Sequence, residues 1–368
     1  MAAHVTPQQA VELMRSIEQR AIEYKGGDNL GQGIYVGLTK LEIARADDAW
    51  RRRALSSLGT LEVQISDVEL VDSLFRPVKR GFRVVDNPPA IPHLAHALIE
   101  DQRANFAAWS SFARSVSHEL FISAETYGGN IQQILAEAYF WLNYLRVRSG
   151  CLFVIVGYST TSWNQIAAEC GTVLMEMLES GKRPTPQIGS GPLDPFDMVV
   201  SFGEALVVQS LCNDPRFLLA FDTAAAAPFT DNLRLGIAHV WSGLEAIFDV
   251  SSELRYRISM NGAVLLQNNL SARLEERKRI ERLYQVRSKA VHGNKMSNEQ
   301  LRAGLKDSWD LLRQVVTKCV ELQRVPSMTD LDAVLLGDMD ILRPSRKLVP
   351  FGPDSTDWGD RPAGRDEK

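Results

Sequence analysis

An arginine and a histidine five positions apart, Arg287 and His292, close a long helical pattern and are followed at once by Gly293. The chain around them is locally basic: Arg273, Arg277, Lys278, Arg279, Arg282, Arg287, Lys289 and Lys295 stand against Glu275, Glu276 and Glu281. Over all 368 residues, 41 basic side chains face 45 acidic ones. The net charge of −4 gives no global pull on polyanions, so any contact with nucleic acid must rest on a local patch of this kind. Lys289 and Lys295, on either side of His292, are the candidate substrate contacts, with Asn294 between them. A solvated helix face has the same composition, and the charge run alone does not separate the two readings.

The pattern that leads to His292 predicts a helix over 272–292 with Ile280, Leu283, Tyr284, Arg287 and Val291 on one face. Arg287 therefore falls on the apolar stripe, where a cation needs a partner or loses several kcal/mol of hydration. Glu245, beside the apolar stripe of an earlier helix, is the candidate partner. Gly293 suits the left-handed residue that stops a helix, which makes His292 the C-cap. The negative helix end there favours an imidazolium by about 0.3–1 kcal/mol. Five residues separate Arg287 and His292 by about 140° on an ideal helix, so the two share a face only if the helix unwinds or if two chains meet. Ser288, one turn before His292, is placed to orient its ring, and Tyr284 reads as core packing one turn before Ser288. On these residues alone, Arg287 as a core arginine paired with Glu245 and His292 as a plain C-cap residue both remain open.

Other chemistries find less support. The cysteines (Cys151, Cys170, Cys212, Cys319) are far apart and form no CxxC pair, which fits reduced thiols better than a disulfide framework or a zinc site. His93 and His96 have helical spacing but no carboxylate or cysteine cluster beside them, so no metal is expected. Gly26, Gly27, Gly31, Gly33 and Gly37 form a glycine-rich stretch without the Gly-Lys-Ser/Thr ending of a phosphate-binding loop, and it reads as a turn. The seven tryptophans are scattered and argue against a base-stacking platform. No cofactor is implied. The N-terminus lacks the basic and apolar regions of a signal peptide, and no uncharged apolar stretch is long enough to span a membrane. A cytoplasmic protein without membrane partners is expected.

Hydrophobic content of 45% and the chain length point to two domains of a mainly α protein. An α+β region of unassigned role is expected over 1–195, with a sub-boundary near the proline cluster at 87–92. Within it, helices are predicted over 7–24, 38–57, 93–121, 130–147 and 162–180, and strands over Leu61–Val71 and Cys151–Tyr158. Gly81–Val85 is expected to pair with Leu61–Val71. A loop over 181–195 leads to a helical domain over 196–325, whose first part is apolar and partly helical. Four helices follow: 231–249, 253–267, 272–292 and 298–323, the last capped by Ser297 or Asn298. The polar stretch over 340–368 reads as a disordered tail.

The last four helices carry a resemblance. Trp241-Ser-Gly-Leu-Glu-Ala-Ile-Phe248, Arg257-Ile-Ser-Met-Asn-Gly-Ala-Val-Leu-Leu266 and Leu283-Tyr-Gln-Val-Arg-Ser-Lys-Ala-Val-His-Gly293 resemble the Apea-like branch of the HEPN superfamily. Ribonucleases of that superfamily carry an arginine, four to six residues, then a histidine; Arg287 and His292 have four between them. The resemblance covers about a quarter of the chain. It implies a C-terminal four-helix HEPN-type bundle that works as a homodimer, with RNA as substrate, no metal, and an antitoxin or sensor as a further partner. It also implies roles: His292 moves the proton and Arg287 holds the phosphate oxygens, supported by Glu245, Ser288, Tyr284 and Asn294. Relatives of this kind serve as toxins or in antiviral defence; others are non-catalytic modules that bind RNA or protein.

Overall fold

The computed structural model describes residues 33–39, 80–85, 116–123, 129–165, 175–177, 189, 191–250 and 252–342. These are mainly helical, with one small antiparallel sheet. The sheet has five strands in the order β2-β3-β1-β4-β5: β1 Gly33–Thr39, β2 Arg80–Val84, β3 Val116–Ser123, β4 Ile155–Ser159 and β5 Met175–Met177. Central β1 pairs with β3 from Gly33↔Ser123 to Thr39↔Val116, and with β4 on its other edge.

All seven residues of β1 are buried, so the glycine-rich stretch is not a turn from Gly33 onward. Its glycines are there for close approach: a Cβ on Gly37 would lie 2.5 Å from the Trp163 ring, and one on Gly33 would lie 2.3 Å from the Ile122 carbonyl oxygen. The tail of the helix expected over 93–121 is instead β3, which pairs with β2. β3 hides its period because it is buried on both faces and carries a buried acid. Glu119 lies wholly inside, accepting hydrogen bonds from the Trp163 backbone N–H (2.7 Å) and the Ser162 hydroxyl (2.9 Å). The helix expected over 162–180 is also corrected: Trp163–Gln165 forms a turn and 175–177 is a strand. The segments 7–24, 40–57, 61–71 and 87–92 lie outside the described residues.

Eight α-helices follow among the described residues: α1 Ile131–Ser149, α2 Pro195–Leu211, α3 Pro215–Ala226, α4 Leu233–Ile247, α5 Leu254–Leu266, α6 Leu270–Val291, α7 Asn298–Leu322 and α8 Met328–Leu335. Side-chain caps define their starts. Asn130, Asp194, Asp214, Asn232, Asn269, Ser297 and Ser327 each accept a backbone N–H from the first turn, and Pro195 and Pro215 occupy first helical positions. The four helices expected from the pattern match α4–α7 within two residues at every end. α8 adds a turn-capped helix beyond residue 325, and Met339–Leu342 is a 3-10 turn rather than the start of a structureless tail; the remainder lies outside the described residues.

Two apolar clusters meet along α1. Ala138, Trp141, Leu142 and Leu145 join β1, β2 and β3 and Phe202 of α2, while Tyr144 and Val147 join Trp241, Leu244, Ile280, Leu305, Trp309 and Leu312 of the bundle. α2 takes part in both, with Met198, Phe202 and Ala205 on the sheet side and Val208 and Leu211 on the bundle side. Arginines tie the clusters together. Arg313 of α7 donates to the Val147 and Arg148 carbonyls (2.5 and 2.7 Å), two of the acceptors that the end of α1 leaves open. Fully buried Arg146 donates to Asn143 Oδ1 (2.7 Å) and the Phe153 carbonyl (3.0 Å), with Phe153 and Phe229 rings 5.1 and 4.7 Å from its guanidinium carbon. Arg148 reaches Glu204 of α2 at 2.8 Å, and the Tyr144 hydroxyl donates to the same carboxylate at 2.7 Å.

Two stability measurements check this architecture. A Cβ on Gly304 of α7 would lie 2.6 Å from Val286 Cγ1 on α6. Gly304→Ala is expected to destabilise by about 1–3 kcal/mol in urea unfolding, and Val286→Ala in the same chain should recover part of that loss. The second concerns His118, whose burial lowers its pKa from 6.5 to about 4. A depressed folded-state pKa means that the unfolded chain takes up the proton first. The associated stability is complete above pH 6.5 and is lost as pH falls through 4. His118→Phe keeps a ring against Phe82, now 5.3 Å from the imidazole, and should flatten the stability profile between pH 6.5 and 4 by about 3 kcal/mol relative to wild type.

Candidate functional site

α4 and α6 lie against each other, and their contact holds three of the residues singled out above, Glu245, Tyr284 and Arg287. At its centre, Trp241 is completely buried, its indole N–H donating to Ser308 Oγ of α7 (3.1 Å). Tyr284 of α6 meets that indole edge-on, with ring centroids 5.3 Å apart. The Arg287 guanidinium lies over the Tyr284 ring, 5.5 Å from its centroid, and its Nη2 donates to Glu245 Oε1 at 3.1 Å. The pair is partly covered, with side-chain exposures of 21% for Arg287 and 25% for Glu245. The core-arginine reading thus has the partner it called for. Arg287 nevertheless keeps donors to spare: among the described residues its buried Nε has no acceptor and only Nη2 makes a hydrogen bond.

The end of α6 is a two-bond left-handed stop. Gly293 has φ +73°, its N–H reaches the Ala290 carbonyl (3.4 Å), and the Asn294 N–H reaches back to the Lys289 carbonyl (3.0 Å). His292 takes the cap position, φ −81° and ψ 10°, with its N–H on the Ser288 carbonyl (3.0 Å). Its imidazole is exposed and makes no hydrogen bond or ion pair among the described residues. The Ser288 hydroxyl does not hold the ring; only its backbone carbonyl serves the cap. Lys289, Asn294 and Lys295 are exposed around the same turn.

One participant escaped the sequence reading. Arg234, at the start of α4, donates through Nη1 to the Ala290 carbonyl and through Nη2 to the Asn294 carbonyl, both at 2.7 Å. It fastens the last turn of α6 and the loop after His292 to α4. A signal was present: a cation in the first turn of a helix runs against the helix dipole and calls for another employer.

The structure therefore gathers Glu245, Tyr284 and Arg287 into one contact and puts Ser288, Lys289, His292, Asn294 and Lys295 around the adjacent helix end. Arg287 points toward α4 and His292 lies in solvent, in keeping with the angle of about 140° between them. The cap geometry continues the helix without unwinding it. Within one chain the two do not converge. Among the described residues no group of three or more His, Cys, Asp or Glu side chains is arranged to hold a metal ion, and no helix is long and apolar enough to cross a membrane. No family model matches this chain, and neither a curated protein nor a solved structure matches it.

The Arg287–Glu245 contact is measurable. A double-mutant cycle with Arg287→Met and Glu245→Gln should give a coupling energy of about 1 kcal/mol in chemical denaturation, falling in high salt. A coupling of zero would mean that the pair holds α4 and α6 together no better than its packing does.

Proposed function

We propose that this protein is a metal-independent endoribonuclease of the HEPN type, acting as a homodimer. The carrying observation is a half-buried guanidinium with unused donors and, five residues and about 140° further round α6, an exposed imidazole with no partner among the described residues. The reaction needs few parts. A ribose 2′-hydroxyl attacks the adjacent phosphorus, the bond to the 5′-oxygen breaks, and a 2′,3′-cyclic phosphate and a 5′-hydroxyl end result. An imidazole can take the 2′ proton or deliver one to the departing 5′-oxygen. A planar guanidinium can hold the non-bridging oxygens as negative charge grows on them. Because Arg287 and His292 of one chain face different ways, the site needs Arg287 from one protomer and His292 from its partner. Leu235 and Val291, each next to a residue of the Arg234–Ala290 contact, are 65% and 44% exposed and offer an apolar seam for that pairing. In this reading the protein is an RNA-cutting effector of the toxin or antiviral kind.

A second reading is a non-catalytic HEPN module that binds RNA or a protein partner. It draws on the Arg287–Glu245 bond, which commits one of the arginine's donors to the fold.

Purified protein incubated with mixed RNA in EDTA should yield fragments with 5′-hydroxyl and cyclic phosphate ends, and His292→Ala should slow their release by about 100-fold or more. Equal cutting by the two proteins, or none by either, would remove the nuclease proposal. RNA binding without cutting would establish the second reading.

A further inference from the structure

We infer that the outer face of α6 is a track for one single strand of RNA, with Lys278, Arg282 and Lys289 taking its backbone phosphates on the way to His292. The inference rests on the RNA-directed reading above. At about 100° per residue, Lys278, Arg282, Gln285, Lys289 and His292 fall within about 80° of one another on α6. All five are exposed. The helix treats its other cations differently. Arg273 donates to the Gln267 carbonyl (2.9 Å), Arg277 to Glu281 (3.1 Å), Arg279 to both oxygens of Glu276 (2.9 Å through Nε to Oε2), and Arg287 to Glu245. Lys278, Arg282 and Lys289 have no acidic partner among the described residues.

Like charges one turn apart repel and weaken a helix, so an unpaired row on an otherwise neutralised helix is held against local stability. With a rise of 1.5 Å per residue, the row places charges about 6 Å and then about 10 Å apart, a strip of about 16 Å that ends at Lys289, three residues before His292. Glu275, one turn before Lys278, closes its far end, and Lys295 continues it past Gly293. One row of point charges matches one phosphodiester backbone. A duplex offers two backbones and would call for a second row, but the neighbouring cations Arg277 and Arg279 are already spent on Glu281 and Glu276. Transesterification asks for the same substrate, since the 2′-oxygen must swing behind the departing 5′-oxygen, which an A-form duplex prevents. The contacts are to backbone, so the track tolerates any sequence.

The test uses the full chain with His292→Ala, so that RNA is not consumed, and fluorescence anisotropy with a labelled twelve-nucleotide single strand at several salt concentrations. Lys278→Glu/Arg282→Glu should weaken binding at least tenfold and flatten the log–log salt dependence by about 1.4, two phosphates at about 0.7 each. The equally charged control Arg255→Glu/Arg257→Glu, on α5, should change binding less than twofold. The milder Lys278→Gln/Arg282→Gln pair should act in the same direction as the reversal, with a melting midpoint no lower than that of the parent chain. Equal losses from the two reversals, no loss from either, or tighter binding of a duplex of the same sequence would overturn the inference. Wild-type protein that binds through this row yet cuts nothing leaves the track standing and removes the nuclease reading. Wild-type cutting that survives the Lys278/Arg282 reversal with unchanged affinity removes the track and leaves the nuclease.

Discussion

An α-helix turns about 100° with each residue, and everything about this site follows from where that rotation leaves two side chains of α6. Arg287 is carried inward against α4, onto the Tyr284 ring and into the reach of Glu245. His292, five residues on, is carried to the opposite exposure, in line with the cations of the outer face. The same rotation that gives one residue a counterion leaves the other exposed on the side of the unpaired cations. Any chemistry that needs both at once must bring a second helix end to the first, and this makes the pairing of two copies a requirement of the proposed reaction.

The last turn of α6 can carry an exposed histidine because it is fixed from two sides. Gly293 supplies the positive φ that lets two N–H groups return to the open carbonyls, at a conformational cost that a side chain would raise. Arg234 takes the Ala290 and Asn294 carbonyls, so acceptors that water would otherwise serve are tied to α4. Underneath, Trp241 and Trp309 are buried with their indole N–H groups satisfied by Ser308 Oγ and the Ala224 carbonyl.

Away from the site, the chain joins a sheet and a helical bundle by burying charge. Burial raises the Glu204 pKa, against the pull of Arg148 and the hydrogen bond from Tyr144. Burial and the adjacent Glu204 carboxylate hold the Tyr144 hydroxyl firmly protonated. Arg313 and Arg146 spend their donors on backbone carbonyls at the end of α1 and before β4. Removing one member of such a set strands the others in low dielectric, so the junction is specific about how α1, α2 and α7 meet.

How much of this was readable in advance depended on the local signal. The four helices from α4 to α7 were legible because amphipathic period, Asn and Ser caps and a terminal glycine agree at each end. The sheet was not. β1 looked like a turn because Gly33 and Gly37 are required by the Phe121 and Trp163 rings, which lie far off in sequence. β3 looked helical because a strand buried on both faces has no alternation to show, and because Glu119 is made tolerable only by the distant Ser162 and Trp163. At the site, the Arg287–Glu245 partnership could be named from the stripe it interrupts, whereas Arg234 was passed over although its place in a first helical turn was anomalous.

By itself the sequence determined the helices of the C-terminal half, the stop at Gly293 and the angle between Arg287 and His292, since propensity, capping and helical rotation act within a few residues. Tertiary structure alone decided that Glu245 would neutralise Arg287, that Arg234 would clamp the turn after it, and that Lys278, Arg282 and Lys289 would stand in a row with no acidic partner among the described residues. Those outcomes depend on which acids and carbonyls come within hydrogen-bond reach, and reach between distant segments is set by packing.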